Sequence, residues 1–376
     1  MKEYSLFRVG ISNLHALKEI DNVFNSGFIN EGVQVTELTQ ALQVKLGSKQ
    51  LLLTNSCTSA LTLALQLSGV GFGDDVVSTP MTCVATNTPI VNLGANIVWT
   101  DINPHSGMPD PEMIEAKITP KTKVVVVVAW GGTPPDLIGI QNICKKHSIK
   151  LILDAAHAFG ALFEGKPVSE FVDFTCYSFQ AIKHFTTGDG GALVCSDNEM
   201  FDRAKALKWF GLDRDKSKDE VGNWKGQQWD VDITEVGWKH NMNNVSAAIG
   251  LANLWRIDGI IDAHRQNATI YDTSLRNVNP LIRHPKALSS HWVYGITLSD
   301  NSPITRDELL QKLNSEGIKA GVVHVPNDTY TCFNKFKADL PGVRQFSKQQ
   351  LCLPVGWWLK SKDIEHIARR VIELCR

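Results

Sequence analysis

The sequence predicts an α/β protein with a mostly parallel central sheet flanked by helices, followed by a smaller α+β region. Three observations carry this expectation. Short apolar runs at residues 76–78, 97–99, 124–129, 151–153, 174–179 and 192–195 alternate with helical patterns, as in chains that build one sheet from βα repeats. The runs at 124–128 and 151–153 are apolar at every position, as strands are when both of their faces are covered. After about residue 256 the texture changes.

Near that boundary, a helical pattern over 244–255 sets Val245, Ala248, Ile249 and Leu251 at helical spacing. This helix is expected to carry the chain out of a first domain, residues 1–256, into a second, residues 257–376. The second domain opens with a helix through Ile270 and Leu275 and continues with a strand-like run over 292–296. A helix near 307–313 follows, and another after Lys362 closes the chain. No repeat or low-complexity linker separates the domains, so they are expected to pack tightly.

Of the 376 residues, 43% are hydrophobic and 20% charged, which suits a large core plus a second domain and excludes disorder. The 38 basic and 39 acidic residues are interspersed, with a formal net charge of -1. No basic stripe is offered to a nucleic acid or an anionic membrane, so a small-molecule substrate is expected. The eight cysteines, at 57, 83, 144, 176, 195, 332, 352 and 375, form no C-x-x-C pair, and no histidine cluster has metal-ligand spacing. Reduced thiols and no bound metal are the expectation. Met1-Lys2-Glu3-Tyr4 lacks an apolar signal core and no run of about 18 apolar residues occurs, which points to a soluble, cytoplasmic chain.

Three segments carry candidate chemistry. In Leu151-Ile152-Leu153-Asp154-Ala155-Ala156-His157 a carboxylate directly follows a buried strand, at the end where open α/β sheets place ligands. A buried aspartate needs a partner. The pyridinium of pyridoxal 5′-phosphate (PLP) is one, since the carboxylate would keep the ring nitrogen protonated; ordinary helix N-capping is the other reading. Next, Lys183 follows the run at 174–179 and precedes Gly188, Gly190 and Gly191. A partly desolvated lysine can lose enough basicity to attack an aldehyde and then act as a base, although most lysines in glycine loops are simply exposed. Third, Ser56, Cys57 and Thr58 open a helix whose amides could bind a phosphate, with Ser178 as a further hydroxyl donor. Capping alone explains that segment equally well.

Together, in this order, the three segments resemble the DegT/DnrJ/StrS-type nucleotide-sugar aminotransferases, which are fold-type-I PLP enzymes. The likeness extends over nearly the whole chain. It includes Ser26-Gly27-Phe28-Ile29, Pro80-Met81-Thr82-Cys83-Val84-Ala85-Thr86-Asn87, Asp154-Ala155-Ala156-His157-Ala158-Phe159-Gly160, the stretch from Ser178 to Gly191, and Gly237-Trp238-Lys239-His240-Asn241-Met242-Asn243-Asn244. The resemblance implies that Lys183 is the Schiff-base lysine and catalytic base and that Asp154 partners the pyridine nitrogen. His157 would lie near the ring oxygen, and Ser56, Cys57, Thr58 and Ser178 at the phosphate. It also implies a homodimer with shared sites, in which Asn241, or alternatively Lys239, contacts the phosphate of the neighbouring subunit. Two positions depart from the family pattern. Cys83 stands where an aromatic ring commonly stacks on the cofactor, and a thiol offers less area. Cys57 replaces a glycine or other small residue, which negative φ would tolerate.

By the same resemblance, an amino acid, glutamate, converts PLP to its pyridoxamine form, and the amine passes to a nucleotide-linked 3- or 4-keto sugar. The product would feed surface polysaccharide, lipopolysaccharide (O-antigen) or antibiotic-sugar synthesis. A sugar diphosphate calls for cations, for which His184, Arg214, Lys239 and His324 are candidates; Arg214 ends the segment Trp209-Phe210-Gly211-Leu212-Asp213-Arg214. The rival chemistry is dehydration on the same fold, where relatives carry histidine in place of the lysine. His184 adjoins Lys183, but the spacing of five from Ser178 favours Lys183. A non-catalytic regulator that binds nucleotide sugars would have no need of Lys183 and Asp154 together.

Overall fold

The computed structural model describes residues 2–212 and 232–376. Its strands are β1 (Leu51–Thr54), β2 (Asp75–Ser78), β3 (Asn96–Trp99), β4 (Thr122–Val128), β5 (Lys150–Asp154), β6 (Leu162–Phe163), β7 (Lys166–Pro167), β8 (Phe174–Ser178), β9 (Gly191–Cys195), β10 (Ala287–Leu288), β11 (Tyr294–Thr297) and β12 (Gln350–Leu353). Helices α1 (Asn13–Ser26), α2 (Val33–Leu46), α3 (Cys57–Leu67), α4 (Val84–Asn92), α5 (Pro111–Glu115), α6 (Leu137–Lys146) and α7 (Asn198–Lys208) accompany the sheet. They are followed by α8 (Asn244–Leu254), α9 (Ile257–Ser274), α10 (Arg306–Ser315), α11 (Pro341–Gln349) and α12 (Ser361–Leu374).

Seven strands form the central sheet in the order β1-β9-β8-β5-β4-β2-β3. Every neighbouring pair is parallel except the two that include β9, so the fold is the expected α/β architecture. The uninterrupted valines of β4 explain themselves here. Val124 and Val126 enter one hydrophobic core while Val125 and Val127 enter another, because successive side chains leave a strand on opposite faces. Ile152 of β5 and Leu52 of β1 join the first core, and their neighbours Leu151, Leu153, Leu51 and Leu53 the second.

This register gathers chemistry at one edge. Asp154 lies level with Val128 and Cys176, and Gly191 with Ser178 on one side and Thr54 on the other. The ends of β1, β5 and β8 therefore converge where α3 begins. Gly191 permits this convergence, since a Cβ there would lie 2.6 Å from the Cys57 amide nitrogen and the Ser56 carbonyl carbon. Gly191→Ala should lower stability by about 1–3 kcal/mol through overpacking, read as a lower denaturant midpoint. A wild-type midpoint would mean that the start of α3 can retreat freely.

Beyond the sheet, β11 and β12 pair antiparallel and pack with α9, α10 and α12 around a third core that includes Tyr271, Ile296, Leu309, Ile364 and Val371. Tyr4 belongs to this core too and bridges Ile318, so the first residues fasten onto the C-terminal region. The strand expected at 292 starts at Tyr294, because the Trp292 amide bonds the Gly131 carbonyl at 2.9 Å and its ring turns toward the sheet's carboxyl edge. Helix α9 runs between regions: Ile257, Ile260 and Ile261 lie in the second core, Ala268 and Tyr271 in the third. Among the described residues no helix is long and apolar enough to cross a membrane, and no group of three or more His, Cys, Asp or Glu could hold a metal.

Candidate active site

Asp154 ends β5 and is 4% exposed. Oδ2 accepts the Thr86 hydroxyl at 2.7 Å and Oδ1 accepts the Ala156 amide at 3.0 Å, with the Cys57 thiol at 3.9 Å. Burial raises its pKa from the ordinary value, opposed by these hydrogen bonds and by the charge of Lys183. No helix follows Asp154, only turns, so helix capping does not explain it. A carboxylate this dry, held by neutral donors, calls for a cationic partner.

Lys183 lies in the turn after β8, its Nζ 3.6 Å from the centroid of the Trp292 ring. Burial lowers its pKa to about 8, against the opposing influence of Asp154 and then of Cys83 and Cys57. It is not the solvated surface lysine of an ordinary glycine loop. His157, 2% exposed, stacks on Trp292 at 4.0 Å and 17° and meets His324 with Nε2 to Nε2 3.5 Å. Its Nδ1 is buried without a partner, and burial holds its pKa well below the ordinary value.

The anion-binding end starts with Ser56, whose Oγ caps α3 by accepting the Ser59 amide at 3.1 Å. First-turn amides have no intrahelical acceptor, which leaves those of Cys57 and Thr58 available to a phosphate. Ser178 closes β8 nearby, buried, with Oγ accepting the Gln180 amide at 3.4 Å. Cys83 sits half-buried at the cap position of α4 and contributes no capping bond.

The expected substrate cations fare unevenly. His184 is buried, with Nε2 donating to the Ser290 carbonyl at 3.0 Å and its ring 4.7 Å from His264. Burial holds its pKa well below the ordinary value, so it is a neutral packing residue and supplies no charge to a substrate. Burial lowers the pKa of His324 to about 4, and its ring reaches the site against His157. Lys239 keeps its ammonium over Trp209 at 4.0 Å and donates to Asn241 Oδ1 at 2.6 Å. Asn241 is buried and donates within its own chain to Asn30 Oδ1 and the Met242 carbonyl, both at 3.2 Å. The stretch carrying both residues runs along the approach to α3, where the Asn55 amide bonds the His240 carbonyl at 2.9 Å. Arg214 lies outside the described residues.

Two residues of the site carried no individual signal. Thr86 lies inside the 80–87 block, but only its bond to Asp154 distinguishes it from the other hydroxyls there. Trp292 comes from a distant strand-like run and reaches Lys183 by tertiary packing alone. Thr86→Val removes a charge-assisted bond worth about 1.5–3 kcal/mol and pushes the Asp154 carboxyl further up. PLP affinity should fall roughly 10–100-fold, measured by quenching of tryptophan fluorescence. An unchanged affinity would remove Thr86 from the site.

The donor set fits PLP, with helix amides and a serine for its phosphate, a buried carboxylate for the ring nitrogen, an unpartnered imidazole Nδ1 and a desolvated amine. A sequence profile of the DegT/DnrJ/EryC1/StrS aminotransferase family matches residues 12–372. The crystal structure of AtS13 from Actinomadura melliaura is 35% identical, with TM-score 0.91 over 99% of both chains. The PLP form of Spr1654 from Streptococcus pneumoniae is 25% identical, with TM-score 0.90 over 100% of this chain and 99% of that one. A spore coat polysaccharide biosynthesis protein of Bacillus subtilis, SpsC, is 28% identical over 99% of this chain and 97% of its own. The dTDP-4-dehydro-2,3,6-trideoxy-D-glucose 4-aminotransferase of Saccharopolyspora spinosa is 29% identical over 96% and 93%. Fold, donor set and sequence agree: the chain belongs to the DegT/DnrJ/EryC1/StrS aminotransferase family, the PLP-dependent sugar aminotransferases.

Proposed function

We propose that this enzyme moves the amino group of glutamate to a nucleotide-linked 3- or 4-keto sugar, with Lys183 as covalent anchor and base and Asp154 as partner of the pyridine nitrogen. The observation that carries the proposal is the placement of these two groups at the carboxyl edge of the sheet, Asp154 buried and Lys183 half-buried against Trp292, where each alters the other's proton affinity. His184, which a one-residue slip would put in place of the lysine, faces Ser290 and His264 instead, and this supports transamination over dehydration.

Bound PLP supplies an electron sink for the pair left when a proton departs from the amino donor. The protein's own groups do the rest. The Asp154 carboxylate would hold a proton on the ring nitrogen, aimed by Thr86 and Ala156. The Cys57 and Thr58 amides with Ser178 would bind the phosphate, and Nδ1 of His157 would face the ring oxygen. Lys183 Nζ, neutral above about pH 8, would take the proton from the donor carbon and return it across the site.

The dTDP-sugar aminotransferase relative supports the nucleotide-sugar acceptor, and SpsC supports a product destined for surface polysaccharide. The proposal includes a homodimer with shared phosphate sites reached by Asn241. Leu14, Leu17, Phe24, Phe28, Ile29 and Val33 expose an apolar face suited to a second copy. All eight cysteines are free, which supports a cytoplasmic setting.

The test is the absorbance spectrum of purified protein with PLP, before and after glutamate, for wild type and Lys183→Ala. A visible band present only in wild type and bleached by glutamate is expected. A band that glutamate leaves unchanged would remove glutamate as the donor, and no band in wild type would remove Lys183 as the anchor.

A further inference from the structure

Residues 4–12 cross the molecule as a strap. Tyr4 fastens to Ile318, Phe7 stacks on Trp292 at 4.6 Å and 22°, and the Ser12 amide bonds Asn253 Oδ1 at 2.9 Å. Trp292 is 4% exposed and held on every side. Its Nε1 donates to the carbonyl of Ile182 at 3.0 Å, the residue just before Lys183, and His157 stacks on it at 4.0 Å. Against this ring lies Lys183 Nζ, 3.6 Å from the centroid. Among the described residues no oxygen accepts a hydrogen bond from Nζ, and the ring face is the contact it makes.

We propose that Trp292 is a positioning residue for Lys183: whenever the lysine is not bonded to the cofactor, its Nζ rests on the indole face, and Phe7 of the strap holds that face in place. This rests on the reading of Lys183 as the base. An amine that takes a proton becomes an ammonium ion, and an indole face attracts the cation but not the neutral amine. Trp292 therefore stabilises Lys183 in the protonated form it reaches on abstracting a proton. It also keeps Nζ within the site while it waits to return that proton. The titratable groups around Nζ are Asp154, Cys57, Cys83, His157, His184 and His324. Burial keeps the three imidazoles neutral at pH 7 and the Cys57 thiol protonated. The Asp154 carboxylate and the ring face both favour an ammonium there.

Wild-type holoenzyme and holoenzymes carrying W292L, W292F or F7A would be compared in single-turnover conversion by saturating glutamate, followed by loss of visible absorbance between pH 6 and 9.5, with PLP-loaded K183A as the control expected to show no band. A cation–π contact corresponds to roughly 2–30-fold in rate. W292L should slow the step by about that factor and move its acid limb to lower pH, with glutamate KM unchanged. W292F, which keeps a weaker ring face, should fall between W292L and wild type, and F7A should shift the limb in the same direction by less. If W292L fails to fold, W292F and F7A decide alone. A wild-type acid limb in the folded variants overturns the assignment of Trp292, as does W292F being slowed like W292L without a shift. A visible band in K183A that glutamate bleaches at the wild-type rate would instead overturn the reading of Lys183, so the two failures are distinguishable.

Discussion

Lys183→Ala should lower amino transfer by roughly 10²–10⁴-fold from loss of the base alone, with further loss because the covalent anchor is also gone. The phosphate-binding groups remain, so PLP should still bind weakly and without the visible band. A second readout moves the opposite way. The ammonium of Lys183 is harder to keep in the fold than in water, since burial takes its pKa from 10.5 to about 8. Between those values the unfolded chain binds more protons than the folded one, so stability rises with pH across that window. Below pH 8 the penalty is fully present. Lys183→Met keeps much of the side-chain volume and removes the charge, so the apoprotein should gain up to about 3 kcal/mol at pH 7, with no gain above pH 10.5. Thermal melts of the two apoproteins at pH 7 and pH 10.5 check this; an equal melting temperature at pH 7 would mean that water reaches Nζ.

Asp154→Asn should cost about 3–5 kcal/mol of the stabilisation that a buried charge gives its partner, or roughly 10²–10⁴-fold in kcat. The fold should survive. Both carboxylate oxygens accept, one from the Ala156 amide and one from the Thr86 hydroxyl. An asparagine can turn its oxygen to the amide and its NH2 to the hydroxyl, which rotates to accept. What asparagine cannot do is hold a proton on a pyridine nitrogen by charge. Steady-state rates with circular dichroism separate the two: lost activity in a folded protein is expected, and wild-type kcat would refute the pairing.

The fold was legible wherever neighbouring residues encode it. Five consecutive valines specify a strand with two covered faces, and β4 has them. Helices α8 and α10 begin and end within a few residues of the expected patterns. Asp154 ends β5 and Lys183 lies five residues past β8, positions that the apolar runs before them mark in the sequence. Charge was less legible. A sequence shows a side chain's type and not its burial, and burial lowers the pKa of both His184 and His324. Trp292 was invisible as a site residue because its role depends on a turn against Gly131, formed by segments far apart in the chain.

Helix α9 has its own consequence. Its 18 residues make a rod of about 27 Å with one half buried in the sheet's core and the other in the C-terminal core. A rigid-body swing of one region against the other would have to break that rod in the middle or uproot one end. The molecule is girdered, and movement falls to the segments that α9 does not pin.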